Sequence, residues 1–308
     1  MKHFYIWALL LSLFAAKLSA QQDAQFIQYL FNKLYFNPAY AGNKCMFCAT
    51  ANYRKQWLGL NGAPTTANLT AHGTVLNDKL GLGLAIANDQ IGLTQLWNVE
   101  GSYAYRIQMP KDAALSIGLR TSVNFMRFRW ADADATQVMD NTIATSNYSK
   151  TYPNFGVGAY YETPKYFVGI SIPHLFQTKI DFRENNTSAL QARLQRHYFI
   201  MGGGILNVNK QVKFYPSAMI KFTANAPLSA DFNANFIFLD KFWAGVGYRL
   251  NNSVHALIQY AFAPNFKMGF SYDYATTRLQ NYNSGTLEVS LEYCVAPRTD
   301  RLHNPRFF

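Results

Sequence analysis

Side chains suited to catalysis are few in this sequence, and they are scattered. Six His occur in 308 residues, one of them His3 near the start, and none has zinc-site spacing with another ligand. The sequence has no Gly-x-Ser-x-Gly nucleophile turn and no glycine-rich phosphate loop. A triad gathered from distant strands stays open, but nothing calls for a cofactor or a metal. Cys45-x-x-Cys48 has redox spacing, yet no strand–helix unit surrounds it. On an extended strand those Cα atoms would lie about 10 Å apart on opposite faces, too far to bridge. His72 reads as a hydrogen-bonded interior group. These residues point away from an enzyme and toward a scaffold.

Elements able to position them begin after a leader. Lys2 and His3 precede an apolar run from Phe4 to Phe14, and Leu18-Ser19-Ala20 offers a small-residue cleavage site before Gln21. Residues 1–20 therefore read as an export signal. No Cys directly follows the cleavage point, which argues against a lipoprotein. Beyond Ala20 no run reaches the roughly 18 apolar residues of a spanning helix. Aromatics nonetheless make up 16% of the chain and charged residues only 15%. A transmembrane barrel suits that balance, because only alternate residues meet lipid and aromatic girdles mark both interfaces.

The formal charge is +11; 28 basic residues less Lys2 and Lys17 leave 26 against 17 acidic, or +9. Nucleic acid binding would need a clustered basic face. Here Lys and Arg are spread along the whole chain, as expected for rims and a lumen facing anionic lipid, lipopolysaccharide and acidic partners.

Alternation decides the class. Leu287, Val289, Leu291, Tyr293 and Val295 share one face, with Glu288, Ser290, Glu292 and Cys294 on the other. Residues 228–238 set Leu228, Ala230, Phe232, Ala234, Phe236 and Phe238 against Ser229, Asp231, Asn233 and Asn235. Residues 266–274 repeat the pattern. Period-two patterning with an aromatic face and a polar face marks strands of a membrane barrel. About fourteen such strands can be placed between residues 44 and 296, near 44–57, 66–76, 80–88, 94–106, 114–126, 154–162, 166–173, 196–206, 211–223, 228–238, 241–250, 254–263, 266–275 and 286–296. Tight turns such as Thr163-Pro164-Lys165 and Pro264-Asn265 alternate with often longer links, above all 131–153, 174–195 and 276–285. The expected fold is an all-β antiparallel barrel, its short turns and both termini periplasmic and its long loops outside.

This register turns Arg54, His72, Glu100, Arg120, Lys221, Asp231, Arg249, Lys267, Asp273, Glu288 and Glu292 inward, where unpaired charge is costly. Both signs are present, so a strongly ion-selective pore is not expected. Closure pairs the first strand with the last. Parity then sends Cys48 and Cys294 into the lumen as neighbours near one rim, and Cys45 toward lipid. An oxidising periplasm would permit a disulfide between them, but directly paired strand residues seldom meet bridge geometry. Proximity rather than a bond is the expectation.

The mature N-terminus does not alternate. It runs Gln21-Gln22-Asp23-Ala24-Gln25-Phe26-Ile27-Gln28-Tyr29-Leu30-Phe31-Asn32, then Asn37-Pro38-Ala39-Tyr40-Ala41-Gly42. Asn before Pro disfavours helix at Asn37, and Gly42 permits a tight bend. Phe26, Tyr29, Phe31, Tyr35 and Phe36 would form an exposed apolar patch unless residues 21–43 pack into or across the periplasmic mouth. Pro305 precludes a strand near the end of the tail from 297 to 308.

With Tyr53-Arg54-Lys55-Gln56-Trp57, Gly62-Ala63-Pro64-Thr65-Thr66, Leu80-Gly81-Leu82-Gly83, Asp89 with Gly92, and the ending Asn304-Pro305-Arg306-Phe307-Phe308, these motifs follow one another in an order that resembles the PorP/SprF family. That family comprises outer-membrane proteins of the type IX secretion and gliding machinery of Bacteroidota. Lys55 stands where the family pattern has a polar amide. The resemblance implies a non-enzymatic component that helps export or surface-anchor a secreted protein, such as a gliding adhesin with a C-terminal export domain. It marks Phe26, Gln28, Tyr29, Asn32, Asn37, Pro38, Tyr40, Gly42, Arg54, Trp57, Pro305 and Arg306 as motif and docking candidates. Trp130, Tyr148, Tyr152, Phe182 and Arg183, read as loop residues, are candidates for meeting cargo. The alternative reading is a diffusion porin or small-solute channel.

Overall fold

Fourteen antiparallel strands carry the period-two segments in the computed structural model, which describes residues 25–43, 46–76, 79–132, 147–181, 191–224 and 226–295. The strands are β1 (Phe47–Lys55), β2 (Thr65–Val75), β3 (Leu80–Ile91), β4 (Thr94–Met109), β5 (Ala113–Phe128), β6 (Tyr148–Glu162) and β7 (Tyr166–Ile172). They continue with β8 (His197–Gly204), β9 (Val212–Thr223), β10 (Ser229–Phe238), β11 (Phe242–Arg249), β12 (Ser253–Ala263), β13 (Phe266–Ala275) and β14 (Thr286–Val295). Each pairs with its neighbours in sequence, and β1 pairs with β14 from Phe47↔Val295 to Lys55↔Leu287 without a slip. Two residues, Leu206–Asn207, extend the β8–β9 pairing, and Lys179–Asp181 with Gln191–Arg193 form a separate small hairpin. Closure satisfies the backbone of both end strands, which an edge in hydrocarbon could not do.

Polarity across the wall follows parity. Along β5, Ile117, Leu119, Val123 and Phe125 are exposed on the outside, while Ser116, Arg120, Ser122 and Asn124 are buried inside. Inward charges pair as their cost demands. Arg120 lies 3.0 Å from Glu100, Arg249 2.6 Å from Asp231, and Lys267 2.9 Å from Glu292. Arg54 reaches both Glu288 at 3.1 Å and Asp273 at 3.3 Å.

The wall is not equally tall. Strands β4, β5 and β6 have 16, 16 and 15 residues, whereas β7 and β8 have 7 and 8. At about 3.4 Å per residue, the tall strands exceed the roughly 25 Å apolar band of an outer-membrane barrel. This corrects the end of the expected loop at 131–153, where residues 148–153 are strand; residues 133–146 lie outside the described residues. Tyr148 and Tyr152 lie in β6, paired with Phe128 and Asn124 of β5. The inner face there carries Met126, Phe128 and Tyr152, so the apolar-out rule that revealed the other strands is inverted.

The lumen is occupied by residues 25–43. They form two single-turn 3₁₀ segments (Tyr29–Phe31 and Pro38–Tyr40) and a short helix α1 (Lys33–Phe36). Most of their side chains are buried.

Cys48 and Cys294 are directly opposed in the β1–β14 register and joined by a disulfide, with Cα atoms 4.1 Å apart. The juxtaposition is as expected; the bond is a correction. Antiparallel pairs of the non-hydrogen-bonded kind bring Cα atoms to about 4.5 Å, at the short end of the range that bridges. Cys45, residues 1–24 and residues 296–308 lie outside the described residues. A disulfide closing a loop of this length is expected to add about 2–5 kcal/mol. Exchanging both Cys for Ser should therefore lower the urea midpoint of the barrel. A non-reducing digest should hold the Cys48 and Cys294 peptides together, and their separate recovery would contradict the disulfide.

Candidate functional site

Local rules shape the lumen segment before any tertiary contact does. Asn37 is extended (φ −135, ψ 113), as its following Pro requires, and its side chain accepts the Ala39 N–H at 2.9 Å to cap the next turn. Gly42 has φ +66 and lies against the backbone of Gly73 and Gly81, where a Cβ would overlap both. The chain bends there and passes to β1.

Packing then fills the lumen with rings. Phe26 meets Tyr35 and Phe36 edge to face at 5.1 and 6.3 Å, Phe36 meets Phe199 at 5.5 Å, and Phe31 meets Trp243 at 5.2 Å. Lys33 is buried in a cage, its Nζ 3.9 Å from the centre of the Phe167 ring and within 3.4 Å of the Tyr160 hydroxyl. The Tyr29 phenol is buried. It donates to Ser217 Oγ and accepts from Asn233 Nδ2, both at 3.2 Å.

Polar anchors fix the segment's register. Glu288 accepts the backbone N–H groups of Ile27 at 2.8 Å and Gln28 at 3.0 Å, while the Arg54 guanidinium holds the same carboxylate. Gln28 donates to Ser271 Oγ at 3.3 Å and accepts from Ser290 at 2.6 Å. Asn32 donates to Asn52 and Asn68 at 3.0 and 2.9 Å and accepts from Thr70 at 2.9 Å. Asn37 Nδ2 donates to the carbonyls of Ala159 and Ile170, bridging β6 and β7. At the C-terminal end of α1, Arg120 donates to the Tyr35 carbonyl at 2.9 Å and to that of Leu34, satisfying carbonyls that so short a helix leaves open.

The sequence candidates thus separate into groups. Phe26, Gln28, Tyr29, Asn32, Asn37, Pro38, Tyr40, Gly42 and Arg54 converge on one buried assembly. Trp57 does not join it. Half-buried at the opposite end, it donates its backbone N–H to Thr286 Oγ1 at 3.2 Å and turns the chain at φ +48. Trp130, Tyr148 and Tyr152 meet at one end of the tall wall, where Phe128 stacks on Trp130 and Tyr148. Phe182, Arg183, Pro305 and Arg306 lie outside the described residues.

Sequence reasoning missed the wall glycines that admit the segment. A Cβ at Gly118 would strike the Ala39 backbone, at Gly81 that of Ala41, at Gly158 the Asn37 side chain, and at Gly269 that of Gln28. The available signal was glycine at inward positions of strands whose outward positions are large, which marks close approach from inside.

Comparison with known proteins gives a consistent picture. The family model described as "Type IX secretion system membrane protein PorP/SprF" matches residues 18–293, as the motif order led one to expect. Among solved structures, the CymD monoaromatic hydrocarbon channel has a TM-score of 0.52 at 12% identity, over 87% of this chain and 94% of that one. The Acinetobacter baumannii outer membrane protein Omp33 has 0.46 at 9%, covering 81% and 98%. The P. putida toluene transporter TodX has 0.46 at 8%, covering 85% and 93%. At 12% identity the CymD likeness is one of fold alone, and it is a barrel fold. A search of curated proteins finds no match.

Substituting Val for Gly118 tests the seating of the segment, because the new side chain needs space that Ala39 holds. Overpacking of this kind costs about 1–3 kcal/mol. Amide exchange across residues 25–43 should quicken roughly ten- to a hundredfold, with the barrel strands unaffected. Unchanged exchange would contradict the close approach.

Proposed function

The chain belongs to the PorP/SprF family of type IX secretion system membrane proteins, and on that premise we propose that it is a non-enzymatic docking and anchoring component for an exported protein at the outer membrane. The observation that carries this reading is the lumen filled by residues 25–43. Fourteen strands enclose a bore suited to ions and small solutes at most, and here that space is taken. Folded cargo needs another conduit, so this barrel holds or hands on what that conduit delivers.

In this reading residues 1–20 are the export signal and 21–43 a periplasmic segment that plugs the barrel. Residues 44–296 span the outer membrane, and 297–308 form a periplasmic tail. Secretion machinery meets the rim where the segment and tail emerge. Cargo, a gliding-adhesin-like protein with a C-terminal export domain, meets the outer end of β4–β6, where Trp130, Tyr148 and Tyr152 offer aromatic anchors of the kind that dominate interfaces. Phe182 and Arg183 are cargo candidates with them. Lipid and lipopolysaccharide surround the wall, and nucleic acid is no partner. No cofactor or metal takes part.

The rival reading, a diffusion porin or small-solute channel, requires a path past the segment. Deleting the gene should remove one surface protein from the extracellular fraction while small-solute uptake continues unchanged. A strain that keeps all its surface proteins but loses uptake of a solute would transfer the argument to the porin. The purified barrel should also show no hydrolase or acyltransferase activity that a single lumen substitution abolishes.

A further inference from the structure

One end of the barrel, the end of the tight links, repeats a pairing of residue types. Lys79, Lys111, Lys165, Lys210 and Lys241 are exposed there, one in each of the links 76–79, 110–112, 163–165, 205–211 and 239–241. The sixth link, 264–265, is followed by Lys267 at the start of β13. Near each link lysine in turn stands an exposed apolar side chain: Leu76, Met109, Tyr166, Val208 and Leu239. Leu76 and Leu239 are 70% and 64% exposed and hold φ +52 and +51, a region that favours Gly and Asn. Water stabilises neither feature, whereas the edge of a hydrocarbon layer takes up the side chains.

Most acids of this rim are already engaged. Asp240 pairs with Lys213 at 2.7 Å and Glu292 with Lys267 at 2.9 Å, while Glu162 accepts from Asn43 Nδ2 at 2.6 Å. The five link lysines form no ion pair among the described residues, and Asp112 is left exposed beside Lys111. Cations spaced one per link round the circumference match a sheet of anions at one level, not a protein bound on one side. Phe238, Phe242, Phe262 and Phe266, exposed at the adjoining strand ends, mark that level as a membrane interface. Where β12 slips register between Tyr260 and Ala263, a groove of about 290 Å³ opens between two of the links, lined by Lys241, Lys267, Tyr260 and Phe262.

We propose that this rim binds the headgroups of anionic phospholipids, the lysine of each link on a phosphate and its apolar neighbour against the glycerol and upper acyl chain. Long lysine stems can lie along apolar surface while the ammonium reaches the phosphate. The groove beside Lys241 holds the lipid that exchanges most slowly. The site stands apart from the docking role, since it needs only a barrel in a bilayer.

The test uses the full mature barrel in a neutral detergent, with native mass spectrometry counting bound lipid during titration. The probes are phosphatidylglycerol, phosphatidylcholine, lipid A and a soluble deca-glutamate peptide. Phosphatidylglycerol is expected to bind at least about tenfold tighter than phosphatidylcholine. Lys79→Gln, Lys111→Gln, Lys165→Gln, Lys210→Gln and Lys241→Gln in one chain should erase that preference. Lys55→Gln, Lys150→Gln and Lys179→Gln, at the other rim, should keep it. Lys241→Gln alone should release the slowest lipid about fivefold faster, which keeps the test decisive if the combined variant fails to fold. Equal affinity for the two phospholipids, a preference that survives the five substitutions, or unchanged release from Lys241→Gln would overturn the proposal. So would a preference lost equally at the other rim. Tighter binding of lipid A would assign the rim to lipopolysaccharide instead, and tighter binding of the peptide to an acidic polypeptide.

Discussion

A carboxylate inside a barrel has to be neutralised and hydrogen-bonded, and Glu288 meets both needs by joining the wall to its contents. Arg54, across the β1–β14 seam, supplies the charge, and the Ile27 and Gln28 amides supply donors. Arg54 also draws in Asp273, and Arg249 of β11 approaches that residue at 3.8 Å. Removing Arg54 would therefore leave the buried Glu288 without its cation and Asp273 with only the longer contact to Arg249, the situation in which a broken ion pair is most damaging. The lumen segment is thus part of the barrel's electrostatics rather than an insert in a finished pore.

That dependence explains the division of labour along residues 25–43. Their rings remove apolar surface from water, but apolar contact is non-directional. Direction comes from amides, with Gln28, Asn32 and Asn37 each reaching a different part of the wall. Inward glycines let the backbone approach where those amides need it. The same logic holds at the other end of α1, where Arg120 serves Glu100 and two carbonyls together.

The wall was legible from sequence because lipid imposes a period of two on every strand that it touches. The lumen charges of β1, β5, β10, β13 and β14 all took the faces that parity assigned them. Legibility failed where lipid stops acting. Tyr148 and Tyr152 belong to a strand whose inner face is apolar at its N-terminal end, so alternation carried no signal there. The partners of Asn32 and Asn37 were equally hidden, since a segment without periodicity says only that it must be buried somewhere. The Cys48–Cys294 juxtaposition followed from closure and parity, whereas the bond depended on which kind of antiparallel pair the register places there.

Conductance of single barrels in a planar lipid bilayer tests the claim that residues 25–43 close the lumen. The mature full-length protein should be silent under an applied voltage, and a protein lacking residues 21–43 should pass ions in discrete steps. Steady conductance of the full-length barrel, equal to that of the shortened one, would show that the segment does not close the path and would contradict the account.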